Sequence, residues 1–256
     1  MGNLNTIFKQ AKSVQEGFDR LAQLLLNETL LEANGIRYEI MEVEFYYYNN
    51  VEGDSKEHRD NFTHCHEQQG KSDTLYFHDS GIDITFGECY ENKDKPMIVG
   101  GALIRSIRKA GSGEEPITGP LKVRSAIIDQ GYQGATDSLY KLSVRLIGNA
   151  HSTSSCFKSS RISLFSDDPE TEKYIFKPYR YIKNDTELLE RLLNEGNETH
   201  FLAWYLDRQS AEISEKKIKE KISDRLDYLK SPSFTKVKKK EKRESFLRYI
   251  DGKQKE

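Results

Sequence analysis

The sequence predicts an α+β protein in which a mostly antiparallel β domain follows an N-terminal helix and precedes a C-terminal helical extension. Three patterns indicate this order. Apolar residues recur at helical spacing from about Asn5 to Ala33. Strand-like alternation begins at Tyr38 and returns in several segments up to Ile182. Beyond Asp185 the apolar residues again follow a helical period.

Length and charge bound the domain organisation. The chain has 256 residues, which suffice for one large domain with an appendage. We divide it into a β-rich domain over residues 1–184, a helical extension over 185–235 and a basic, flexible tail over 236–256. The net charge is −2, yet the part from Ile213 onward carries seven more Lys and Arg than Asp and Glu. The main body is therefore acidic, which argues against tight non-specific DNA binding there.

Membrane and export signals are missing from the sequence. No apolar run approaches the roughly 20 residues that span a bilayer. Residues Met1–Asn5 lack the basic start and apolar stretch of a signal peptide. The three cysteines, Cys65, Cys89 and Cys156, form no CxxC pair. These features predict a cytoplasmic protein with free thiols and no membrane partner.

The segment from Tyr38 to Tyr48 is predicted to be a strand with two different faces. One face carries Tyr38, Ile40, Glu42, Glu44, Tyr46 and Tyr48, and the other carries Met41, Val43, Phe45 and Tyr47. Alternation makes Tyr47 the expected core member. The polar, histidine-containing loop from Asn49 to Asp73 is long for a compact domain, so we expect functional residues in it.

Later segments complete the predicted element order. Strands are expected at Thr74–His78, Ile82–Gly87, Ile98–Ile107, Arg161–Phe165 and Lys173–Ile182. The Asp79-Ser80-Gly81 tripeptide favours a turn between the first two of them. Helices are expected at Leu121–Asp129, Thr186–Leu193, Thr199–Gln209 and Glu212–Leu229.

A series of short motifs runs in order over about 165 residues, from Phe18 to Ile182. The motifs are Leu21-Ala22-Gln23-Leu24-Leu25-Leu26-Asn27, Glu42-Val43-Glu44-Phe45-Tyr46, His64, Thr74-Leu75-Tyr76-Phe77, Gly101-Ala102-Leu103-Ile104-Arg105, Gly119-Pro120-Leu121-Lys122, Arg161-Ile162-Ser163 and Lys177-Pro178-Tyr179-Arg180-Tyr181. Their order and spacing resemble the alkyladenine (3-methyladenine) DNA glycosylase family. The same fold resembles the C-terminal domain of formyltransferases that act on initiator transfer RNA.

The resemblance implies a role for particular residues. Glu44 would be the catalytic carboxylate that activates water, and Arg105 would orient that water or bind a phosphate. The substrate-binding residues that it implies are Tyr46, His64 and His78. Tyr76 joins them as a substrate-binding residue, since it would face the same side as His78 if their strand lies next to that of Glu44. The resemblance implies no metal and no organic cofactor, and a partner that is modified or damaged DNA.

The chemistry of base removal agrees with a carboxylate in this place. Cleavage of an N-glycosidic bond builds positive charge on the sugar, which a nearby carboxylate stabilises while it accepts a proton from the attacking water. Two departures from the family concern the substrate. Asp79-Ser80-Gly81 stands where the family has an aromatic wedge, and Thr85-Phe86-Gly87 stands where it has a purine-screening asparagine. Single-stranded DNA or another modified base therefore remains an alternative to a methylated purine in a duplex.

Plainer interpretations accompany the functional ones. Glu42 lies on the same strand face as Glu44 and is its rival for the catalytic role. The His64-Cys65-His66 cluster suggests a metal, but adjacent ligands diverge on a strand and no zinc-like spacing supports the site. The alternative function is a non-catalytic module that binds a nucleotide or nucleic acid with the same fold.

Overall fold

The computed structural model describes residues 3–91, 96–131, 142–148, 154–196, 198–231 and 237–253. These residues form helices together with a curled antiparallel sheet. The chain divides into two units, one of Met1–Cys156 with Tyr179–Lys183 and the other of Phe157–Pro178 with Asn184–Glu256. The sequence predicted domain boundaries after residues 184 and 235. In the structure, the segment 157–178 instead belongs with the C-terminal helices.

The N-terminal region contains two helices and a hairpin where the sequence predicted one long helix. Helix α1 spans Leu4–Lys9 and α2 spans Val14–Asn27. Strand β1, Thr29–Ala33, then pairs antiparallel with β2, Ile36–Asn49. Asn34 and Gly35 between the strands have φ values of 48° and 84°. Asn-Gly with two positive φ angles makes a tight hairpin turn, so this dipeptide reverses a strand and does not end a helix.

The sheet of the first unit is built around β2. The remaining strands along the chain are β3 (His58–Arg59), β4 (Ser72–His78), β5 (Gly81–Phe86), β6 (Ile98–Lys109), β7 (Ile117–Thr118), β8 (Val144–Gly148), β9 (Cys156–Ser159) and β10 (Arg180–Lys183). The sheet order is β4-β5-β6-β2-β1-β8, and β10 and β3 also pair with β2. Helix α3, Pro120–Asp129, packs on β5 and β6.

One face of β2 packs against α1 and α2 through aromatic rings. Phe45 stacks on Phe18 of α2 with centroids 4.8 Å apart, and Tyr47 meets Phe8 of α1 at 4.7 Å. Phe86 of β5 lies 5.1 Å from Phe8 and completes the cluster. Tyr47 is buried, which confirms its predicted place in the core. The apolar half of the alternation in β2 therefore forms the core of this unit.

The second unit is mainly helical. It contains α4 (Pro169–Glu172), α5 (Thr186–Glu195), α6 (Thr199–Arg208), α7 (Lys216–Lys230) and α8 (Val237–Lys253). The strand predicted at 161–165 does not form, and of the one predicted at 173–182 only the end is a strand, β10. Within the described ranges, no helix is long and apolar enough to cross a membrane.

The segment predicted to be a flexible basic tail is largely the helix α8. Phe246 of α8 is fully buried, with its ring 4.6 Å from that of Phe201 and 5.4 Å from that of Trp204. The ammonium group of Lys242 lies 2.7 Å from both carboxylate oxygens of Glu198. The aromatic residue and the internal ion pair fix this helix, although its composition is strongly basic.

We expect Phe18→Ala to destabilise the protein by about 3–5 kcal/mol, because the substitution leaves a cavity among the stacked rings of α2 and β2. Urea unfolding followed by circular dichroism measures the loss. Leu121→Ala is the control, since this leucine is 57% exposed and its loss should change stability by less than about 0.5 kcal/mol. Equal effects of the two substitutions would contradict this account of the core.

Candidate functional site

The second face of the sheet carries most of the predicted site residues. Strand pairing places Arg180, Glu44, Leu103, Asp83 and Tyr76 opposite one another in successive strands, from β10 across β2, β6 and β5 to β4. Directly opposed residues in antiparallel strands share a face. We call this surface the polar face, because four of the five residues in the row are polar or charged.

Irregular pairing between β2 and β6 brings two consecutive residues of β6 to one carboxylate. The register shifts on either side of Glu42, which pairs with Ser106, while Val43 pairs with Ile104. Arg105 consequently has no partner directly opposite it on β2. Its Nε donates to Glu42 Oε1 at 3.3 Å, and Ser106 Oγ donates to Glu42 Oε2. Bulges of this kind re-aim side chains and are frequent beside active sites.

Glu42, Glu44, Arg105 and Arg180 form a buried group that we call the carboxylate cluster. Both carboxylates are essentially inaccessible, with Glu44 0% exposed. Arg180 Nε donates to Glu42 Oε1 at 2.6 Å, and Arg105 Nη1 donates to Glu44 Oε2 at 3.2 Å. Each buried negative charge is thus matched by a guanidinium group, as burial of a charge requires.

The electrostatics of the cluster keep Glu42 ionised. Burial raises the pKa of Glu42, but the charges of Arg180 and Arg105 and the hydrogen bonds from Ser106 and Arg180 outweigh it, so the pKa lies below its ordinary value. Burial lowers the pKa of Arg105, but the charges of Glu44 and Glu42 raise it by more, so the pKa lies above its ordinary value. Arg105 retains a 13% exposed side chain and is the member of the cluster that reaches the surface.

Tyr46 closes the outer side of Glu44. Its hydroxyl donates to Glu44 Oε2 at 3.0 Å, the same oxygen that Arg105 contacts. The Tyr46 side chain is half-buried. The phenol of Tyr46 and the guanidinium group of Arg105 both have access to solvent, and both contact the buried Glu44 carboxylate.

Four rings near β4 form the second part of the polar face, and we call them the ring cluster. Tyr76 stacks between His66, 4.5 Å away, and His78, 4.9 Å away, while His64 meets His78 edge-on at 4.5 Å. Cys65, between the two loop histidines, has a φ of 50°, a left-handed conformation that is strained for this residue type. The backbone reversal there lets both neighbouring rings contact Tyr76 or His78.

The rings differ in the polar atoms that they leave available. His78 uses both nitrogens, because Nδ1 accepts from the Ser80 N–H at 3.3 Å and Nε2 lies 3.1 Å from Asp83 Oδ1. The rings of His64 and Tyr76 contact neighbouring rings. Among the described residues, neither the His64 imidazole nor the Tyr76 hydroxyl has a hydrogen-bond partner. Partial burial lowers the pKa of His64 below its usual value, so its imidazole is neutral at pH 7.

The structure brings the six predicted site residues together in two groups. Glu44, Arg105 and Tyr46 are in direct contact, and so are His64, Tyr76 and His78. β4 is separated from β2 by β5 and β6 and is not its neighbour. Two strand spacings, about 10 Å, separate the backbones of Glu44 and Asp83, from which the side chains extend over the sheet.

Sequence reasoning missed Asp83 and Gln69, which support the ring cluster. Asp83 is buried, and its Oδ2 accepts from Gln69 Nε2 at 2.8 Å. One sequence pattern could have identified Asp83. In β5, the polar Asp83 and Thr85 alternate with the apolar Ile82 and Ile84, which indicates that Asp83 lies on a polar face of the strand. Gly101 is also required here, since a Cβ on it would lie 2.4 Å from Asp83 Oδ2.

One cavity of the first unit lies away from the polar face. In the described portion of the chain, no three His, Cys, Asp or Glu side chains converge as metal ligands. A cavity of about 640 Å³ lies elsewhere in the first unit, along the edges of β4 and β8, where Leu75, Phe77 and Leu146 line it.

This chain is similar in sequence to an uncharacterized viral protein. No protein family matches the chain. An uncharacterized protein of Acanthamoeba polyphaga mimivirus is 34% identical over 134 residues, which cover 45% of this chain and 58% of the viral protein. The chain thus spans less than two thirds of the length of this relative, whose name states no activity.

The carboxylate cluster predicts a pH-dependent contribution to stability. Because the pKa of Glu42 is lower in the folded protein, its contribution is fully present above the unfolded pKa of about 4.3 and is lost as the pH falls through the folded value. We expect Glu42→Gln to cost about 3–5 kcal/mol at pH 7, since it removes the carboxylate that pairs with the buried Arg180 and leaves Arg105 with Glu44 alone among the described residues, and less at pH 3.

Urea unfolding at pH 7 and pH 3 measures both quantities. Glu39→Gln is the matched control on the same strand, because Glu39 is 31% exposed and pairs only with Lys183 among the described residues. This control should cost less than about 1 kcal/mol. A Glu42→Gln effect that is small, or that does not change with pH, would contradict the assignment.

Proposed function

We propose that this chain is an N-glycosylase that hydrolyses the bond between a modified or damaged base and deoxyribose in DNA. We propose with it the fold of the alkyladenine glycosylases and of the formyltransferase C-terminal domain. The observation that carries the proposal is the polar face itself. A buried carboxylate paired with Arg105 shares one sheet face with a cluster of accessible rings that have unused polar atoms.

In the proposed reaction, Glu44 serves the sugar end of the substrate. The bond between C1′ and the base nitrogen breaks with its electron pair leaving on the base, and the oxygen of a water molecule bonds to C1′. Glu44 accepts a proton from that water, and its negative charge stabilises the cationic sugar in the transition state. Arg105 holds the Glu44 carboxylate and orients the water with its remaining N–H groups.

The ring cluster serves the base end of the substrate. An extruded base is held by stacking on aromatic side chains and by hydrogen bonds to its edge. Tyr76 and His64 supply ring faces together with a hydroxyl and a neutral imidazole, while Tyr46 lies next to Glu44. The base would thus lie over β5 and β6, with its sugar above β2.

The charge distribution supports contacts to the DNA backbone outside the polar face. The segment from Ile213 onward carries the excess of Lys and Arg, and in the structure most of it forms α7 and α8. Ordered basic helices are suited to contact phosphates. We therefore propose that the second unit supplies the non-specific affinity that the acidic first unit lacks.

A second function is favoured by the burial of Glu44. The carboxylate is wholly inaccessible, and its Oε2 is already occupied by Tyr46 and Arg105. A site of this kind fits a module that binds a modified base without cleaving it, with Glu44 as part of the structural cluster. Turnover distinguishes this candidate from the glycosylase.

We expect Glu44→Gln to reduce base release by at least about 100-fold, because the amide cannot accept the water proton or balance the sugar charge. The measurement is mass spectrometry of bases released from alkylated and heavily modified DNA, in single- and double-stranded form. Glu39→Gln, on the same strand, is the control with wild-type activity. Release by neither wild type nor Glu44→Gln, with DNA still bound by both, would favour the binding module.

We expect Tyr76→Ala to weaken binding of the same DNA by about 5- to 150-fold, since stacking of one base on an aromatic ring contributes roughly 1–3 kcal/mol. Fluorescence anisotropy in the Glu44→Gln background measures the affinity without turnover. Phe77→Ala is the control, because Phe77 is the neighbouring exposed ring on the opposite face of β4. Equal losses in the two variants would contradict the assignment of the ring cluster.

A further inference from the structure

Asp83 is a buried carboxylate that is held by neutral donors. It is 3% exposed, and its partners among the described residues are His78 Nε2 at 3.1 Å and Gln69 Nε2 at 2.8 Å. The carboxylates of the neighbouring cluster are paired with arginines, whereas this one has no Lys or Arg within the described residues. Burying an ionised carboxylate in this way is costly, so its position calls for an explanation.

The hydrogen bonds around Asp83 form a chain with a fixed direction. At one end the Ser80 N–H donates to His78 Nδ1, and at the other the His66 N–H donates to Gln69 Oε1 at 3.2 Å. Both ends are backbone donors, which cannot reverse. His78 Nε2 and Gln69 Nε2 must therefore donate inward, and the residue between them must accept twice. An ionised Asp meets this requirement, and an Asn does not.

This arrangement fixes the two neighbours of Tyr76. The proton of neutral His78 is held on Nε2, and the ring orientation is held with it. Through Gln69, the same carboxylate holds the backbone of His66, whose ring stacks on the other side of Tyr76. One buried carboxylate thus determines the geometry of the His66–Tyr76–His78 stack.

We propose that Asp83 is the positioning residue of the base-binding site, where it fixes the proton on His78 and the alignment of the ring stack by accepting from both sides. The inference rests on the proposed function in taking a nucleobase as the ligand. His78 then contributes a ring face only, because its nitrogens are engaged. The edge of the base is read by His64, by the Tyr76 hydroxyl and by His66 Nε2.

Exchange of the carboxylate at position 83 with the amide at position 69 tests whether the direction of these hydrogen bonds is what positions the rings. Asp83→Asn places an N–H against either His78 or Gln69, and Gln69→Glu places two carboxylates against each other. The double variant Asp83→Asn/Gln69→Glu restores every hydrogen bond, because its amide at position 83 accepts from His78 and donates to the carboxylate at position 69, which in turn accepts from the His66 N–H. It also restores the net charge. A purely structural need for a negative charge at position 83 would not be met by this exchange.

Two readouts are measured on wild type, both single variants and the double variant. Long-range ¹H–¹⁵N correlation spectra report which nitrogen of His78 carries the proton. Anisotropy reports the affinity for modified single-stranded DNA, and base release gives KM and kcat. We expect Asp83→Asn to weaken binding and raise KM by about 5- to 30-fold with little change in kcat, as one unmet buried hydrogen bond costs about 1–2 kcal/mol. Gln69→Glu should weaken binding at least as strongly, because its two facing carboxylates repel each other. The double variant should return to within about threefold of wild type.

The outcomes separate this inference from the proposed function. A folded double variant that remains as impaired as Asp83→Asn would overturn the inference, as would single variants with unchanged affinity and an unchanged His78 proton position. If wild type binds DNA but releases no base, the glycosylase proposal fails while the affinities of the four proteins still decide the role of Asp83. Urea unfolding identifies a single variant that is merely unstable, and rescue by the double variant remains decisive in that case. Wild type that does not bind DNA would overturn both.

Discussion

The burial of two carboxylates in the middle of a sheet is the constraint on which the rest of this structure depends. Glu42 and Glu44 lie on β2, whose opposite face is packed with aromatic rings against α1 and α2, so the strand has no solvent-exposed side at its centre. An unpaired buried carboxylate would destabilise the fold by several kcal/mol. Arg105, delivered by an irregularity in β6, and Arg180, delivered by β10, provide the compensation.

The same constraint shapes the chemistry of the polar face. The ion pair with Arg105 stabilises the buried Glu44 carboxylate, which Tyr46 and Arg105 both contact. Two strands separate β2 from β4, whose Tyr76 and His78 belong to the ring stack, and a different carboxylate, Asp83, holds that stack. Asp83 and Glu44 therefore represent two ways of burying a negative charge, one with neutral donors and one with a cation. Under the proposed function, the first would fix proton positions and ring orientations, and the second would keep a carboxylate ready for a substrate with developing positive charge.

The sequence predicted the features that depend on local alternation and missed those that depend on tertiary contacts. Alternation from Tyr38 to Tyr48 predicted β2, the burial of Tyr47 and the shared face of Glu44 and Tyr46, whereas only the family resemblance linked Arg105 to Glu44. The helical period predicted a helix up to Ala33, because it continues through the residues that form β1. The helix α8 was missed, since Phe246 and Tyr249 are two aromatic residues in a basic segment and only their packing partners in the fold show that the segment is ordered. Asp83 could be assigned to a face of β5 but not to His78 and Gln69.

The most direct test of the central claim is a crystal structure of Glu44→Gln bound to a single-stranded oligonucleotide that carries the modified base. The account predicts the base against His64 and Tyr76, with its anomeric carbon no further than one water molecule from the side chain at position 44. Asp83 would keep its bonds to His78 and Gln69 in that complex. An oligonucleotide bound away from the polar face, or a base placed with its sugar turned away from β2, would contradict the account.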